Sequence, residues 1–311
     1  MSADCLRSLL FIILGFLVTY LYLRNAYTSK AMFGCALATV VLIDLFSVNK
    51  RYVDNDSFIA PEESVEAFVP TQADLEILKD TSMNYRVLDL DGFDQARSSY
   101  FHKTVGGYHA AKLTRYNDLI SEQIRKGNPE VINMLNARYF IKDGEAHLNP
   151  EAFGNAWLVD KVVYVDSPNQ EMAALDSLPL RTVAVADNQF RTVLGSSQPV
   201  SAGDTIFETF YAPGRLDYEV QSRLGGVAVF SEVYFPWGWE AMIDDKPAEI
   251  GRVDYVLRAL NIPPGRHHVS FVFKPRRLEA TNTLGVISVS LIFLLCLLAL
   301  IKVGVRFFRK D

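Results

Sequence analysis

Three long runs of hydrophobic residues dominate the pattern of apolar and polar positions along the chain. They cover residues 6–23, 31–48 and 284–303, and each contains a single charged residue. A transmembrane α-helix needs about 20 predominantly apolar residues, so each run is long enough to cross a bilayer. The first run is too long for the apolar core of a signal peptide, and no small-residue cleavage site follows it. We therefore predict three retained transmembrane helices rather than a cleaved leader and two spans.

The second run contains Asp44, and a carboxylate within the hydrocarbon region is costly unless it has a partner or reaches water. Asp44 lies four residues from the predicted outer end of its span. Two interpretations stay open: the side chain extends to the interface, or it forms an intramembrane site.

The residues between the second and third spans, which we call the central domain (residues 51–280), divide into two parts. Residues 51–156 begin as a polar linker and continue with mixed helical and strand patterns. Their predicted elements are a short helix at 74–79, a strand at 85–90, a helix from 108 to 126, a second helix capped by Asn128 and Pro129, and a strand at 139–141.

From residue 157 the pattern changes to eight segments of alternating apolar and polar residues, separated by turn signals. Such spacing is typical of a β-sandwich or a jelly roll, and we interpret residues 157–280 as all β. The predicted fold class is therefore membrane α plus an α+β domain. Its parts are two transmembrane helices (1–50), a linker with a small α/β region (51–156), a sandwich-like region (157–280), and a terminal span with a basic tail (281–311).

Basic residues next to a span favour the cytoplasmic side of the membrane. The C-terminal tail contains four, namely Lys302, Arg306, Arg309 and Lys310, against one acid, Asp311. We therefore expect the tail to be cytoplasmic and the central domain to be extracytoplasmic. Two groups of basic residues on the predicted outer side argue mildly against this orientation, namely Lys50 with Arg51 and Lys274 with Arg276 and Arg277.

Cysteine content and net charge narrow the function classes. Cys5, Cys35 and Cys296 all lie in or beside the predicted spans, which leaves no cysteine in the central domain for a disulfide framework. The formal net charge of −5 argues against a nucleic-acid partner. We identify no cofactor-binding motif.

The segment GGYHAAKLTRY is the densest group of candidate binding residues: Gly106, Gly107, Tyr108, His109, Lys112 and Arg115. Two glycines at the start of a helix would expose backbone N–H groups to an anion, and the two cations would add positive charge. A phosphate or pyrophosphate of a lipid carrier is the functional interpretation. The alternative is that the glycines allow close packing and the charged side chains are solvated.

Trp237 and Trp239, in the segment PWGWE, form a second candidate site. They could provide an aromatic platform for sugar rings or sit at the membrane interface, where tryptophan is enriched. The alternative is a packed corner between strands.

Other titratable residues give weaker signals. Asp89, Asp91 and Asp94 invite a calcium interpretation, but they do not complete an EF-hand loop. His102 and His109 lack further ligands at zinc spacing. We therefore expect no metal site and assign no catalytic residue.

Five segments together resemble the C-terminal part of YfhO-family bacterial membrane proteins, in the version found in the Bacteroidetes group. The segments are YRVLDLDGF, SYFHKTVGGYHAAKLTRYNDLI, MLNARYFI, GNAWLV and the block from WGWEAMIDDKP to HHVSFVFKP. The resemblance covers most of the chain, and its most specific parts are GGYHAAKLTRY and the aromatic corner before the last span.

The resemblance implies a location in the bacterial inner membrane and a relation to GT-C-like glycosyltransferases. These enzymes transfer a sugar from a polyprenyl-phosphate donor to an acceptor outside the membrane, such as an envelope glycan. Their presumed catalytic acid lies in a first extracytoplasmic loop that this chain lacks, so no catalytic residue carries over. We therefore expect a fragment or split half that works with an N-terminal polytopic half. The alternative is a noncatalytic membrane-anchored module that binds a glycan or a protein.

Overall fold

The computed structural model describes residues 2–25, 29–58, 61, 69–196 and 198–308. Part of the predicted linker and the tail residues Arg309, Lys310 and Asp311 lie outside the described residues. The chain forms two compact units, Met1–Val69 and Pro70–Asp311.

The α-helices used below are numbered in chain order. They are α1 Ser2–Leu23, α2 Lys30–Asn49, α3 Gln72–Ile77, α4 Ala96–Phe101, α5 Thr114–Leu119, α6 Pro129–Met134, α7 Pro168–Ala174, α8 Arg191–Leu194 and α9 Arg276–Phe308.

The strands are numbered in the same way. They are β1 Arg86–Asp89, β2 Ala137–Lys142, β3 Glu145–Leu148, β4 Ala156–Val159, β5 Lys161–Val165, β6 Val183–Asp187, β7 Thr205–Ala212, β8 Arg215–Ser222, β9 Gly226–Val233, β10 Trp239–Ile243, β11 Lys246–Ala248, β12 Gly251–Val253, β13 Leu257–Ile262 and β14 Gly265–Phe273.

Three helices are long and apolar enough to cross a membrane, as the hydrophobic pattern predicts. The candidate spans are Asp4–Leu23 in α1, Lys30–Asn49 in α2 and Ala280–Leu298 in α9. Their side chains are not buried within the protein. Such all-round apolar exposure is compatible with lipid and unfavourable in water. The protein is therefore membrane-associated.

In the first unit, α1 and α2 pack antiparallel, with ion pairs between the start of α1 and the end of α2. Arg7 Nε lies 3.7 Å from Asp44 Oδ1, and Arg51 pairs with Asp4. Asp44 thus has a cationic partner on the neighbouring helix, which lowers the cost of placing its carboxylate near hydrocarbon.

The first part of the central domain is built on the three-stranded sheet β1-β2-β3. Strand β1 is parallel to β2, and β2 is antiparallel to β3. Helix α6 begins as the sequence predicts: the Asn128 side chain accepts hydrogen bonds from the backbone N–H groups of Glu130 and Val131, and Pro129 occupies the first turn. The predicted strands and short helices of this part are confirmed.

The all-β interpretation of residues 157–280 is wrong in its first third. Strands β5 and β6 are parallel and joined through α7, and α8 follows β6. Helix α7 begins because Ser167 caps it, accepting a hydrogen bond from Gln170 N, with Pro168 in the first turn. The alternating pattern of a short strand is the same in parallel and antiparallel pairs, so the sequence pattern did not distinguish the two.

Two larger antiparallel sheets complete the domain, with strand orders β11-β10-β14-β8-β7 and β12-β13-β9-β4. Side chains of both sheets share one apolar cluster. At its centre, the Phe230 ring lies 4.9 Å from that of Tyr218 and 4.8 Å from that of Phe271, both edge to face. Burying each ring stabilises the fold by roughly 1.5–3 kcal/mol.

Strand β14 connects the core of the domain to the membrane helix. It ends at Phe273, and α9 begins at Arg276 after only Lys274 and Pro275. The sequence prediction that the last strand leads almost directly into the third span is confirmed. The two larger sheets consequently lie close to the point where α9 enters its apolar span.

Candidate functional site

The two glycines of the predicted anion site are explained by close packing. A Cβ atom at Gly106 would lie 2.3 Å from the Phe93 carbonyl oxygen, and one at Gly107 would lie 2.3 Å from Ser99 Oγ. Gly107 also has a φ of +85°, in the left-handed region that side chains avoid. The packing interpretation of this pair thus has direct structural support.

The helix predicted from residue 108 begins later, at Thr114, after Leu113 in an extended conformation. The segment from Tyr108 to Leu113 is a loop, because Gly107 turns the chain and the helical spacing of apolar residues starts only at Leu113. The glycine pair therefore lies outside any helix N-terminus. The helix dipole gives no support to anion binding there, and the individual site residues remain a prediction.

Four of the six predicted residues nevertheless line one shallow cavity of about 360 Å³. Its lining comprises Asp94, Gly107, Tyr108, His109, Ala110, Lys112, Thr114 and Asn117. We call it the Lys112 cavity. The Lys112 ammonium group donates to the Gly107 carbonyl oxygen at 2.9 Å, which holds the lysine against the glycine turn. The exposed Tyr108 ring and the polar groups around it make the cavity accessible and mainly polar.

Arg115, the second predicted cation, is bound to a buried carboxylate instead. Its Nη1 atom lies 3.2 Å from Glu171 Oε2, and its guanidinium stacks at 4.5 Å from the Tyr255 ring. Glu171 is fully buried and also pairs with Arg252 at 3.2 Å. Burying a carboxylate requires such compensation, so Arg115 has a structural role. Of the six predicted residues, Gly106 and Arg115 are the two that do not line the Lys112 cavity.

The two tryptophans of the second candidate site have different environments. Trp237 is 64% exposed, whereas Trp239 is partly buried, with its ring centre 4.0 Å from the Arg258 guanidinium and 5.2 Å from the Phe273 ring. Gly238 between them packs flat on Phe273, because a Cβ atom there would lie 2.7 Å from that ring. We call Phe235, Trp237, Gly238 and Trp239 together the aromatic corner.

Two neighbouring cavities flank the aromatic corner. One, of about 510 Å³, runs from Tyr234 towards Ile250, and the other, of about 680 Å³, extends to Pro275 and Leu278. They share Phe235, Pro236, Trp239 and Glu240, so these four residues border both cavities. Volumes of this size are typical of ligand-binding clefts.

The acidic residues considered for calcium serve local structure. Asp89 accepts hydrogen bonds from the backbone N–H groups of Asp91 and Gly92, and Asp94 pairs with Arg125 at 2.6 Å. His102 lies 2.9 Å from the buried carboxylate of Asp74. Within the described ranges, no group of three or more His, Cys, Asp or Glu side chains is placed to hold a metal ion.

A cluster of polar side chains lies where the first part of the central domain meets the two larger sheets. Sequence patterns did not indicate this cluster. Asn84 Nδ2 donates to Glu208 Oε1 at 3.1 Å and to Glu232 Oε1 at 3.3 Å. Asn155 Nδ2 donates to Glu208 Oε2 at 2.8 Å, and Lys103 Nζ donates to Asn84 Oδ1 at 2.9 Å. We call these five residues the seam cluster.

Titration in the seam cluster is strongly perturbed. Burial raises the pKa of Glu208 to about 7, and the nearby charge of Glu232 acts in the same direction. Burial lowers the pKa of Lys103 to about 8, with its ammonium group 3.1 Å above the Tyr211 ring centre. Perturbed groups are common at functional sites and also occur in structural networks. No local motif could reveal the cluster, because Asn84 is 124 residues from Glu208 in sequence.

Comparisons with known proteins add no relative. A scan of family models, a search of curated proteins and a search of solved structures found no match to this chain.

Proposed function

We propose that this chain is the membrane-anchored C-terminal portion of a GT-C-like glycosyltransferase of the YfhO family, located in the bacterial inner membrane. It would act with an N-terminal polytopic half, its central domain would be extracytoplasmic, and the two larger sheets would form a β-sandwich. The sequence resemblance supports the transferase class. The observation that carries a binding role is that Gly107, Tyr108, His109 and Lys112 line one cavity.

In this proposal the Lys112 cavity receives part of a polyprenyl-phosphate sugar or of the envelope glycan that accepts the sugar. Lys112 provides one positive charge, and Tyr108, His109, Thr114 and Asn117 provide side chains able to form hydrogen bonds with hydroxyl groups. Catalysis itself is assigned to the N-terminal polytopic half, and this chain contributes substrate binding.

The test measures binding of a polyprenyl-phosphate hexose to the full chain in lipid nanodiscs, by photo-crosslinking through a diazirine on the sugar. Lys112→Glu is expected to reduce crosslinking at least tenfold, because it replaces a cation by an anion where the sugar phosphate would lie. Lys161→Glu is the control, since Lys161 is exposed at the start of β5 and lies outside the cavity lining. Thermal unfolding of both variants checks that the fold is retained. Equal crosslinking of wild type and a folded Lys112→Glu variant would contradict the proposal.

The commitment of Arg115 to Glu171 favours a second candidate function, a noncatalytic module that binds an envelope glycan or a protein. With Arg115 engaged, Lys112 is the cation that the cavity presents, and most of the lining is neutral. Calorimetry with a neutral envelope oligosaccharide distinguishes the two candidates. Binding that is insensitive to added phosphate and to Lys112→Glu favours the module.

A further inference from the structure

The aromatic corner lies next to the start of the candidate membrane span in the last helix. Helix α9 is continuous from Arg276, and the candidate span within it begins at Ala280. Leu278 therefore lies only about 3 Å along the helix axis from the first residue of the span, at 1.5 Å per residue. Leu278 also lines the 680 Å³ cavity, which we call the span-side cavity, together with Trp237. The cavity therefore lies within one turn of helix of the start of the candidate span.

The chemistry of the span-side cavity suits lipid. Its lining is mainly aromatic and aliphatic, and Trp237 and Leu278 remain 64% and 55% exposed. Exposed apolar surface of this kind marks a contact with a partner or a membrane. Tryptophan in particular is enriched at headgroup level, where its ring meets apolar chains and its N–H meets water.

The polar side chains of this cavity, Lys274 and Glu240, also suit a position at a membrane surface. Lys274 Nζ pairs with Glu240 Oε2 at 3.2 Å, and the Lys274 side chain is 48% exposed. An exposed ammonium group beside the start of a membrane helix is suited to the phosphates of lipid headgroups.

The cavity wall is held in place by packing among its own side chains. Trp239 is fixed between Arg258 and Phe273, and Gly238 allows the chain to lie flat on the Phe273 ring. Binding therefore requires little ordering of the wall, which lowers the entropic cost of association.

We propose that the aromatic corner is a bilayer-docking surface, in which the span-side cavity takes an acyl chain of a membrane phospholipid and Trp237 sits at headgroup level. This inference rests on α9 crossing the membrane and is independent of glycosyl transfer. The contact fixes one face of the two-sheet region against the membrane surface.

The experiment uses the full chain in nanodiscs whose phosphatidylcholine carries bromine at carbons 6 and 7 of one acyl chain. Bromine quenches tryptophan on contact, and the emission of wild type minus that of Trp237→Phe reports Trp237 alone. We expect brominated lipid to remove more than half of this difference signal. An unquenched difference signal that remains accessible to acrylamide in the aqueous phase would overturn the proposal.

A second probe separates failure of the docking surface from failure of the span. Leu284→Trp in the Trp237→Phe background places an indole on α9 itself, within the candidate span and outside the cavity lining. If this probe is quenched while Trp237 is not, α9 enters the bilayer as described and the docking proposal is wrong. If neither is quenched, both the entry of α9 at Ala280 and the docking proposal are wrong. A blue shift of Trp237 caused by a soluble envelope oligosaccharide, without bromine quenching, would identify a glycan as the occupant and overturn the lipid assignment.

Discussion

Replacing Glu208 by glutamine removes the titrating carboxyl group at the centre of the seam cluster and keeps its shape. The wild-type carboxyl has an ordinary pKa of 4.5, which burial raises to about 7 in the folded protein. Between these two values the folded state binds more protons than the unfolded state. The free energy of unfolding therefore falls as pH rises from about 4.5 to about 7, and it levels off above that range.

The magnitude follows from the size of the pKa difference. About 2.5 pH units at about 1.36 kcal/mol per unit correspond to about 3 kcal/mol, which is an upper limit because the Glu208 side chain is partly exposed. The variant keeps the bond from Asn84 and loses the acceptor for Asn155. We therefore expect Glu208→Gln to be close to wild type or up to about 1 kcal/mol less stable at pH 5. At pH 7.5 the free energy of unfolding of the variant, relative to that of wild type, should be about 2 kcal/mol higher than at pH 5.

Urea unfolding of the full chain in detergent, followed by tryptophan fluorescence from pH 5 to pH 7.5, measures this difference. The window stays below the pKa of about 8 of Lys103, and other groups, including His267 with its raised pKa, cancel between wild type and variant. Glu219→Gln is the matched control, because Glu219 lies on the neighbouring strand and pairs with the exposed Arg266. It should change the free energy by less than about 1 kcal/mol. If wild type and Glu208→Gln differed in free energy of unfolding by the same amount at pH 5 and pH 7.5, Glu208 would not have the raised pKa on which the prediction depends.

Three further predictions concern stability. Burial opposes ionisation of Asp74, but Arg97 and other donors bond to the carboxylate and lower its pKa to about 2. Asp74→Asn should therefore lower the free energy of unfolding by about 2–3 kcal/mol at pH 7. Urea unfolding should show this difference shrinking as pH falls from 4 to 2. Gly106→Ala should lower the free energy of unfolding by about 1–3 kcal/mol through its clash with the Phe93 carbonyl, and an unchanged urea midpoint would contradict the packing role. Phe271→Ala should cost about 3–5 kcal/mol by opening a cavity between the two larger sheets, as measured by thermal unfolding against the exposed Phe207→Ala control.

The sequence predicts the membrane helices well because the bilayer imposes a length and a composition that few other structures share. It also predicts strands such as β1, β2 and β14, which are rich in strand-forming residues, and the start of α6, where Asn128 and Pro129 form a local cap. In each case the signal is contained in neighbouring residues.

Features that depend on distant residues were not predictable in the same way. The parallel pairing of β5 with β6 depends on the crossover through α7, and the turn at Gly107, which precedes α5, packs against Ser99. This turn and the loop that follows it delay the start of the helix until Thr114.

The candidate sites likewise contain features that neighbouring residues predict and features that depend on residues distant in sequence. Local sequence placed Gly107, Tyr108, His109 and Lys112 together, and the structure gathers them around one cavity. It did not show that Arg115 would be neutralised by Glu171, which is 56 residues away. The seam cluster was missed for the same reason, since its five members come from five separated segments.

The two-residue connection between β14 and α9 has a mechanical consequence. Strand β14 is the central strand of its sheet, hydrogen-bonded to β10 on one side and β8 on the other. A force transmitted along α9 therefore reaches the sheet at β14, where two rows of hydrogen bonds share the load. Tilting or vertical displacement of the helix in the bilayer is thus passed to the middle of the sheet, and the edge strands are not peeled away one bond at a time.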